Sequence, residues 1–154
     1  MSATVKSVPE GYHTATPYLV VRGGSRAIDF YKKAFGAQER FRLSRGAGGG
    51  IAHAELSIGD SHLMLADESP EAGSRSPESL GGTPASVFLY VEDVDEVFRN
   101  AVAAGAKPTL TPQKMFWGDR YAKVSDPFGH QWQIATRVED VPPAEMERRM
   151  AAIR

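Results

Sequence analysis

The sequence predicts an α+β fold of two tandem βαβββ modules, and three observations predict it. Segments 17–37 (PYLVVRGGSRAIDFYKKAFGA) and 86–106 (SVFLYVEDVDEVFRNAVAAGA) share one order of parts: alternating strand, short polar turn, helical period and closing Gly-Ala. Self-similarity of this kind marks a repeated unit. Hairpin patterns follow each copy, and the 154-residue chain is 42% hydrophobic, enough to bury a core.

The elements can be justified in order. In the first copy Ser25 is positioned to cap a helix whose Ile28, Tyr31, Ala34 and Phe35 recur at helical spacing, and Gly36 supplies the stop. Segment 51–67 (IAHAELSIGDSHLMLAD) alternates and breaks at Ile58-Gly59-Asp60-Ser61, a hairpin turn. In the second copy Asp93 and Glu96 have the spacing of a capping box ahead of Val94, Val97, Phe98 and Ala101, with Gly105 as the stop. Segment 119–136 breaks at Ser125-Asp126-Pro127-Phe128-Gly129, where proline pre-sets φ and glycine permits a left-handed residue.

The domain plan is therefore a tail (1–11), a first module (12–67), a linker (68–84), a second module (85–138) and a C-terminal helical segment (139–154). Segments 46–50 and 68–84, rich in Ser, Pro and Gly, read as mobile loops. Pro142-Pro143 opens a last helix over 144–153 with Met146, Met150 and Ile153 on one side, suited to packing on its own domain or on a partner subunit.

Composition narrows the function classes. A net charge of -1 gives no general attraction to nucleic acid or an anionic membrane. The absence of cysteine removes disulfide and thiolate chemistry and fits a cytoplasmic protein. No run reaches the length of a membrane span, and the first residues hold no apolar leader core. Gly46 to Gly50 lack the Lys-Ser/Thr of a phosphate loop, and no nucleophile elbow or H-E-x-x-H occurs.

The AIDFYKKAFGA helix of the first module and the FWGDRYAKVSDPFGHQW run of the second resemble the glyoxalase/bleomycin resistance/dioxygenase superfamily, the vicinal oxygen chelate proteins, and within it the PhnB-like or glyoxalase-like branch. The resemblance covers 12–138. It implies that the mixed sheets of the modules curve into a ligand cup with helices on the outer face, and that the chain forms a homodimer, the commonest closed assembly in any case. It also implies a divalent-metal site with one ligand from the first and one from the last strand of each module. Those positions fall on Thr16, Met64, Ser86 and Gln133, a set poor in the imidazole and carboxylate donors such ions require. No metal is expected there.

Strand alternation assigns the faces. Thr14, Thr16, Tyr18 and Val20 face the cup, and Ala15, Pro17, Leu19 and Val21 the helix. Ser86, Phe88 and Tyr90 oppose Val87, Leu89 and Val91; His62 and Met64 oppose Leu63 and Leu65; Gln131 and Gln133 oppose Trp132 and Ile134; Tyr121 and Lys123 oppose Ala122 and Val124. His53 and Glu55 share a polar face against Ala52, Ala54 and Leu56, and either lines a polar cavity or serves as a catalytic base pair. With His62 they are also a candidate displaced metal site. Trp117 and Arg120, in the Phe116 to Tyr121 loop, suit a flat or anionic ligand at the mouth of the cup; alternatively Trp117 plugs the cup or a dimer seam and Asp119 pairs with Arg120 or another neighbour. His13 is expected exposed and His130 structural.

Three functions fit. The first is a protein that binds a small organic molecule without metal, with Thr16, Tyr18, His62, Met64, Ser86, Phe88, Tyr90, Trp117, Arg120, Tyr121, Gln131 and Gln133 as ligand-binding candidates. The second is a metal-dependent lyase, isomerase or dioxygenase using the displaced site. The third is a metal-free enzyme with His53 or Glu55 as base.

Overall fold

The computed structural model describes residues 4–153. Two compact units divide between Gly81 and Gly82, and the order of elements repeats. The first unit contains β1 (Tyr18–Val21), α1 (Gly24–Phe35), β2 (Gln38–Ser44), β3 (Ile51–Ile58), β4 (Ser61–Asp67), a 3₁₀ turn (Pro70–Ala72) and α2 (Pro77–Leu80). The second contains β5 (Ser86–Tyr90), α3 (Val94–Ala104), β6 (Lys107–Lys114), β7 (Asp119–Ser125), β8 (Gln131–Arg137) and α4 (Pro143–Ala151).

Each unit holds one mixed four-stranded sheet, ordered β1-β4-β3-β2 in the first and β5-β8-β7-β6 in the second. In each, the first strand runs parallel to the last and the other pairs are antiparallel. The crossover helix packs on one sheet face and the other face stays open. Leu19, Val21, Ala54, Leu56, Leu63 and Leu65 are buried with Ile28, Tyr31 and Phe35 in the first unit. Ala122, Val124, Trp132 and Ile134 are buried with Val94 and Ala101 in the second. Period-two alternation thus selects the helix-facing side of β1, β3, β4, β7 and β8.

The start of α1 differs from the sequence expectation. Ser25 lies inside the helix, where its Oγ accepts from Arg42 Nη1 at 3.1 Å. The cap comes from β4: Asp67 Oδ1 accepts from the backbone N–H groups of Gly23 and Gly24, both at 2.8 Å, and Oδ2 accepts from Ile51 N at 2.7 Å. A remote carboxylate answers two orphan donors of a helix N-terminus as well as a local hydroxyl would. The close approach requires glycine, since a Cβ at Gly24 would lie 2.9 Å from the Ile51 side chain and 3.0 Å from Asp67. The C-terminal stop at Gly36, φ 68°, is as expected, as are the Asp93 cap on Glu96 N and the Gly105 stop of α3.

Segment 68–84 is more ordered than a plain loop. Glu68 Oε1 accepts from Ser76 N at 3.0 Å, Ser76 Oγ at 2.8 Å and Ser79 Oγ at 2.6 Å, and Arg22 Nε donates to Oε2 at 3.2 Å. These bonds hold the carboxyl of Glu68 down at about 2, Ser79 contributing most. Serine and proline, read as loop composition, here cap and start α2: Ser76 is its N-cap and Pro77 its first residue.

The turn between β7 and β8 is built on Asp126, whose Oδ1 accepts from Phe128 N at 2.8 Å and His130 N at 2.9 Å, and whose Oδ2 accepts from the fully buried Trp132 Nε1 at 2.9 Å. In α4, Arg149 donates to Glu139, to Glu145 at 3.0 Å and to the Phe116 carbonyl at 3.0 Å, fastening the helix to its own unit. Met150 on that helix and Ile153, two residues beyond its end, remain more than half exposed. No helix among the described residues is long and apolar enough to cross a membrane.

Candidate functional site

Cross-strand register gives each open face its rows. In the first unit Tyr18 aligns with Met64, Met64 with Glu55 and Glu55 with Phe41, with Leu43 beside His53 in the next row. Tyr18, Phe41 and Leu43 are each about half exposed, at 49%, 48% and 52%. The Tyr18 hydroxyl pairs with His53 Nδ1 at 3.0 Å, and His53 Nε2 stands 3.5 Å from Glu55 Oε1. Tyr18, His53 and Glu55 therefore form a line across the sheet, its second link at the long limit of a hydrogen bond.

His62 lies elsewhere on this face. It stacks on Tyr12, ring centroids 4.2 Å apart, and pairs across the strands with Ser57. Its Nδ1 and the Tyr12 hydroxyl are buried atoms without a hydrogen-bond partner. Burial, and after it the nearby Glu55, raises the pKa of Tyr12. In the sequence Tyr12 only marks the start of the first module. Thr16, half-buried, precedes β1 rather than lying in it, and the neighbouring Ala15 and Pro17 are exposed rather than turned to the helix. Regular alternation begins only where β1 begins.

In the second unit Phe88, Gln133 and Lys123 share a row, and Tyr90, Ala135 and Tyr121 the next. The Tyr121 hydroxyl donates to Gln133 Oε1, and Gln133 Nε2 donates to Ser86 Oγ at 2.6 Å. Phe88 lies 5.0 Å from Tyr90 and 6.0 Å from Tyr121, and Trp117 lies 5.3 Å from Tyr121. Tyr90 OH and Trp117 Nε1 both donate to Asp119 Oδ2, at 3.1 and 2.9 Å. Burial raises the pKa of Tyr121; burial first, then Asp119, raises that of Tyr90, so both phenols remain donors at neutral pH.

Two candidates are placed differently from expectation. Arg120 projects to the helix side, where Nε and Nη2 reach both oxygens of Asp95 on α3 at 2.7 and 2.8 Å. Alternation demands this once Tyr121 faces the open side, and the two-pronged carboxylate contact holds the guanidinium there. Asp119 accordingly pairs with Tyr90 and Trp117 rather than with Arg120. Gln131 is spent on the turn, donating to Ser125 Oγ at 3.0 Å and Gly129 O at 3.3 Å. Trp117 folds back because the Met115 to Gly118 turn is tight: Gly118 has φ 103°, and a Cβ there would stand 2.3 Å from the Glu139 carbonyl. His13 is exposed, and His130 N serves the Asp126 turn.

The four positions carried over for a metal do not fit one. Gln133 directs its amide oxygen to Tyr121 and its amide nitrogen to Ser86, and Met64 and Thr16 add a thioether and a hydroxyl, which neutralise little of the charge of a divalent ion. Nor do His53, Glu55 and His62 converge: among the described residues no group of three or more His, Cys, Asp or Glu side chains is placed to hold a metal ion. A cleft of about 410 Å³ at the start of α1 is lined by residues including Arg22, Arg26, Gly49 and Asp67; the Asp67 carboxylate already occupies the helix end.

A family model described as Glyoxalase/Bleomycin resistance protein/Dioxygenase superfamily matches residues 12–134. The uncharacterized Mycobacterium bovis protein Mb0911c is 42% identical over 140 residues, covering 89% of this chain and 91% of its own length. Among solved structures, TioX from Micromonospora is 29% identical with a TM-score of 0.61, covering 80% of this chain and 99% of its own. The PhnB protein of Bacillus cereus superposes with a TM-score of 0.60 over 80% of this chain and 99% of its own; at 18% identity it supports the fold alone.

Proposed function

Because the chain belongs to the Glyoxalase/Bleomycin resistance protein/Dioxygenase superfamily, and its carried-over metal positions hold a hydrogen-bonded Ser86–Gln133 pair and two weak donors, we propose that it binds a small organic molecule on the open faces of its sheets without a divalent metal. The observation that carries this reading is the second unit's open face. Aromatic rings there stand around a polar line, Ser86–Gln133–Tyr121, whose side chains are fixed by one another. Rigid rings with a few oriented polar groups are what small-molecule recognition uses.

Family membership alone does not choose between binding and catalysis. The Tyr18–His53–Glu55 line supports a second reading, a metal-free enzyme in which His53, held by Glu55, takes a proton from a ligand group through or beside Tyr18. A panel of neutral, anionic and cationic aromatic compounds, screened by thermal shift and then by calorimetry, tests the binding reading. Saturable binding that survives chelator, with the ligand recovered unchanged, is the expected result. Turnover lost in H53A and E55A would replace it with the enzymatic reading, and no binding across the panel would remove it.

The reading extends to a cytoplasmic homodimer. The dimer's support is the half-exposed Tyr18, Phe41 and Leu43 in two neighbouring rows, apolar surface that a second copy or a ligand would cover.

A further inference from the structure

The side chain of Asp119 is buried to 1% exposure at the start of β7 on the open face of the second unit. Its Oδ2 takes both neighbouring donors, Tyr90 OH and Trp117 Nε1. Oδ1 takes none, and it is a buried atom without a partner. No lysine or arginine among the described residues lies within ion-pair distance of it, and its cross-strand partner Arg137 pairs with Asp140 at 3.5 Å instead. A buried carboxylate held by two neutral donors, with one oxygen unanswered, is costly, and such a group in a folded protein calls for an explanation.

Its surroundings supply one. Tyr90 and Trp117 touch the carboxylate, while Phe88 and Tyr121 extend the ring cluster. Aromatic faces attract cations, and a carboxylate beside them adds the opposite charge and an acceptor. Tyr90 is 62% exposed and Phe88 41%, so one wall of the cluster is open to solvent. Tyr90 is also the group that can turn aside, being the more exposed of the two that cover Asp119.

We propose that Asp119 and the rings of Phe88, Tyr90, Trp117 and Tyr121 form a subsite for an organic ammonium group, its N–H donating to Asp119 Oδ1 and its charge resting against the rings. This rests on the small-molecule reading and deepens it by naming the ligand as a cation. The structural alternative is that Asp119 only anchors Trp117 and Tyr90, which accounts for Oδ2 and leaves Oδ1 and the missing countercharge unexplained.

The test titrates the full chain with benzylammonium and, separately, with the neutral benzyl alcohol, reading Trp fluorescence with W117F to identify the responding indole. Benzylammonium is expected to bind saturably and at least about ten-fold more tightly than the alcohol, a preference that D119N reduces to within about two-fold. Equal affinity for the two probes would overturn the cation subsite while upholding small-molecule binding. So would an undiminished preference in D119N. If neither probe binds, the subsite is overturned, and the broader reading is decided by the neutral and anionic members of the wider panel. Should D119N fail to fold, the comparison of the two probes on the unaltered protein still decides.

Discussion

Gln133 Nε2 donates to Ser86 Oγ over 2.6 Å, joining the last and first strands of the second unit at two of the positions that the family resemblance offers for a metal. With the Gln133 carbonyl oxygen accepting from Tyr121, the amide is held at both ends. Pairing of this kind is worth about 1 kcal/mol for each neutral hydrogen bond. In a double-mutant cycle, S86A and Q133A are expected to couple by about 0.5–1.5 kcal/mol in urea unfolding. Strictly additive effects would mean that the two side chains are independent.

Asp67 joins three backbone donors from two places in the chain, the start of α1 and the start of β3. Removing it in D67A should cost about 1–2 kcal/mol or more, the scale of a lost helix cap. S25A, which removes only a contact with Arg42, should fall within about 0.5 kcal/mol of the unaltered protein. Thermal unfolding of the two variants checks the difference, and a larger loss in S25A would return the cap to the local serine.

The carboxyls of Glu68, Glu139 and Glu145 are each held down from the ordinary 4.5 to about 2, by Ser79, Arg149 and Arg148 first respectively. A carboxylate whose folded pKa lies below its unfolded one stabilises the fold fully above the unfolded value and loses that contribution as pH falls through the folded one. Stability should therefore decline between pH 4.5 and about 2. In S79A the Glu68 carboxyl should titrate at higher pH than in the unaltered protein, read by carbon NMR of the side chain; an unmoved titration would remove Ser79 as the main cause.

The half-exposed Tyr18, Phe41 and Leu43 offer apolar surface that the second copy of a dimer would cover. Light scattering at micromolar concentration is expected to give twice the chain mass, and F41E should shift it toward the single chain. A monomer throughout that range would show that these residues await a ligand or stay in water.

Much of this architecture was legible because repetition and alternation are local. The two helices, both hairpin turns and the buried side of the strands follow from spacing alone, as Trp132 and Ile134 opposite Gln133 illustrate. Remote pairings were not legible. Asp67 caps a helix 43 residues earlier in the chain, and Glu68 gathers Ser76 and Ser79 out of a segment whose composition reads as loop. Arg120 could have been placed correctly, since its parity opposes that of Tyr121, but its partner Asp95 lies on a different element. The same parity puts Asp119 on the open face, while its burial and its unanswered oxygen become visible only once Tyr90 and Trp117 close over it.

The most direct test of the central claim is a metal count on the natively purified chain by elemental analysis, repeated after incubation with Zn²⁺, Ni²⁺, Mn²⁺ and Fe²⁺ and removal of free ions. A ratio far below one metal per chain is predicted, because Gln133 and Ser86 spend their polar atoms on each other and on Tyr121. A ratio near one would contradict it and direct attention to the side chains of His53, Glu55 and His62.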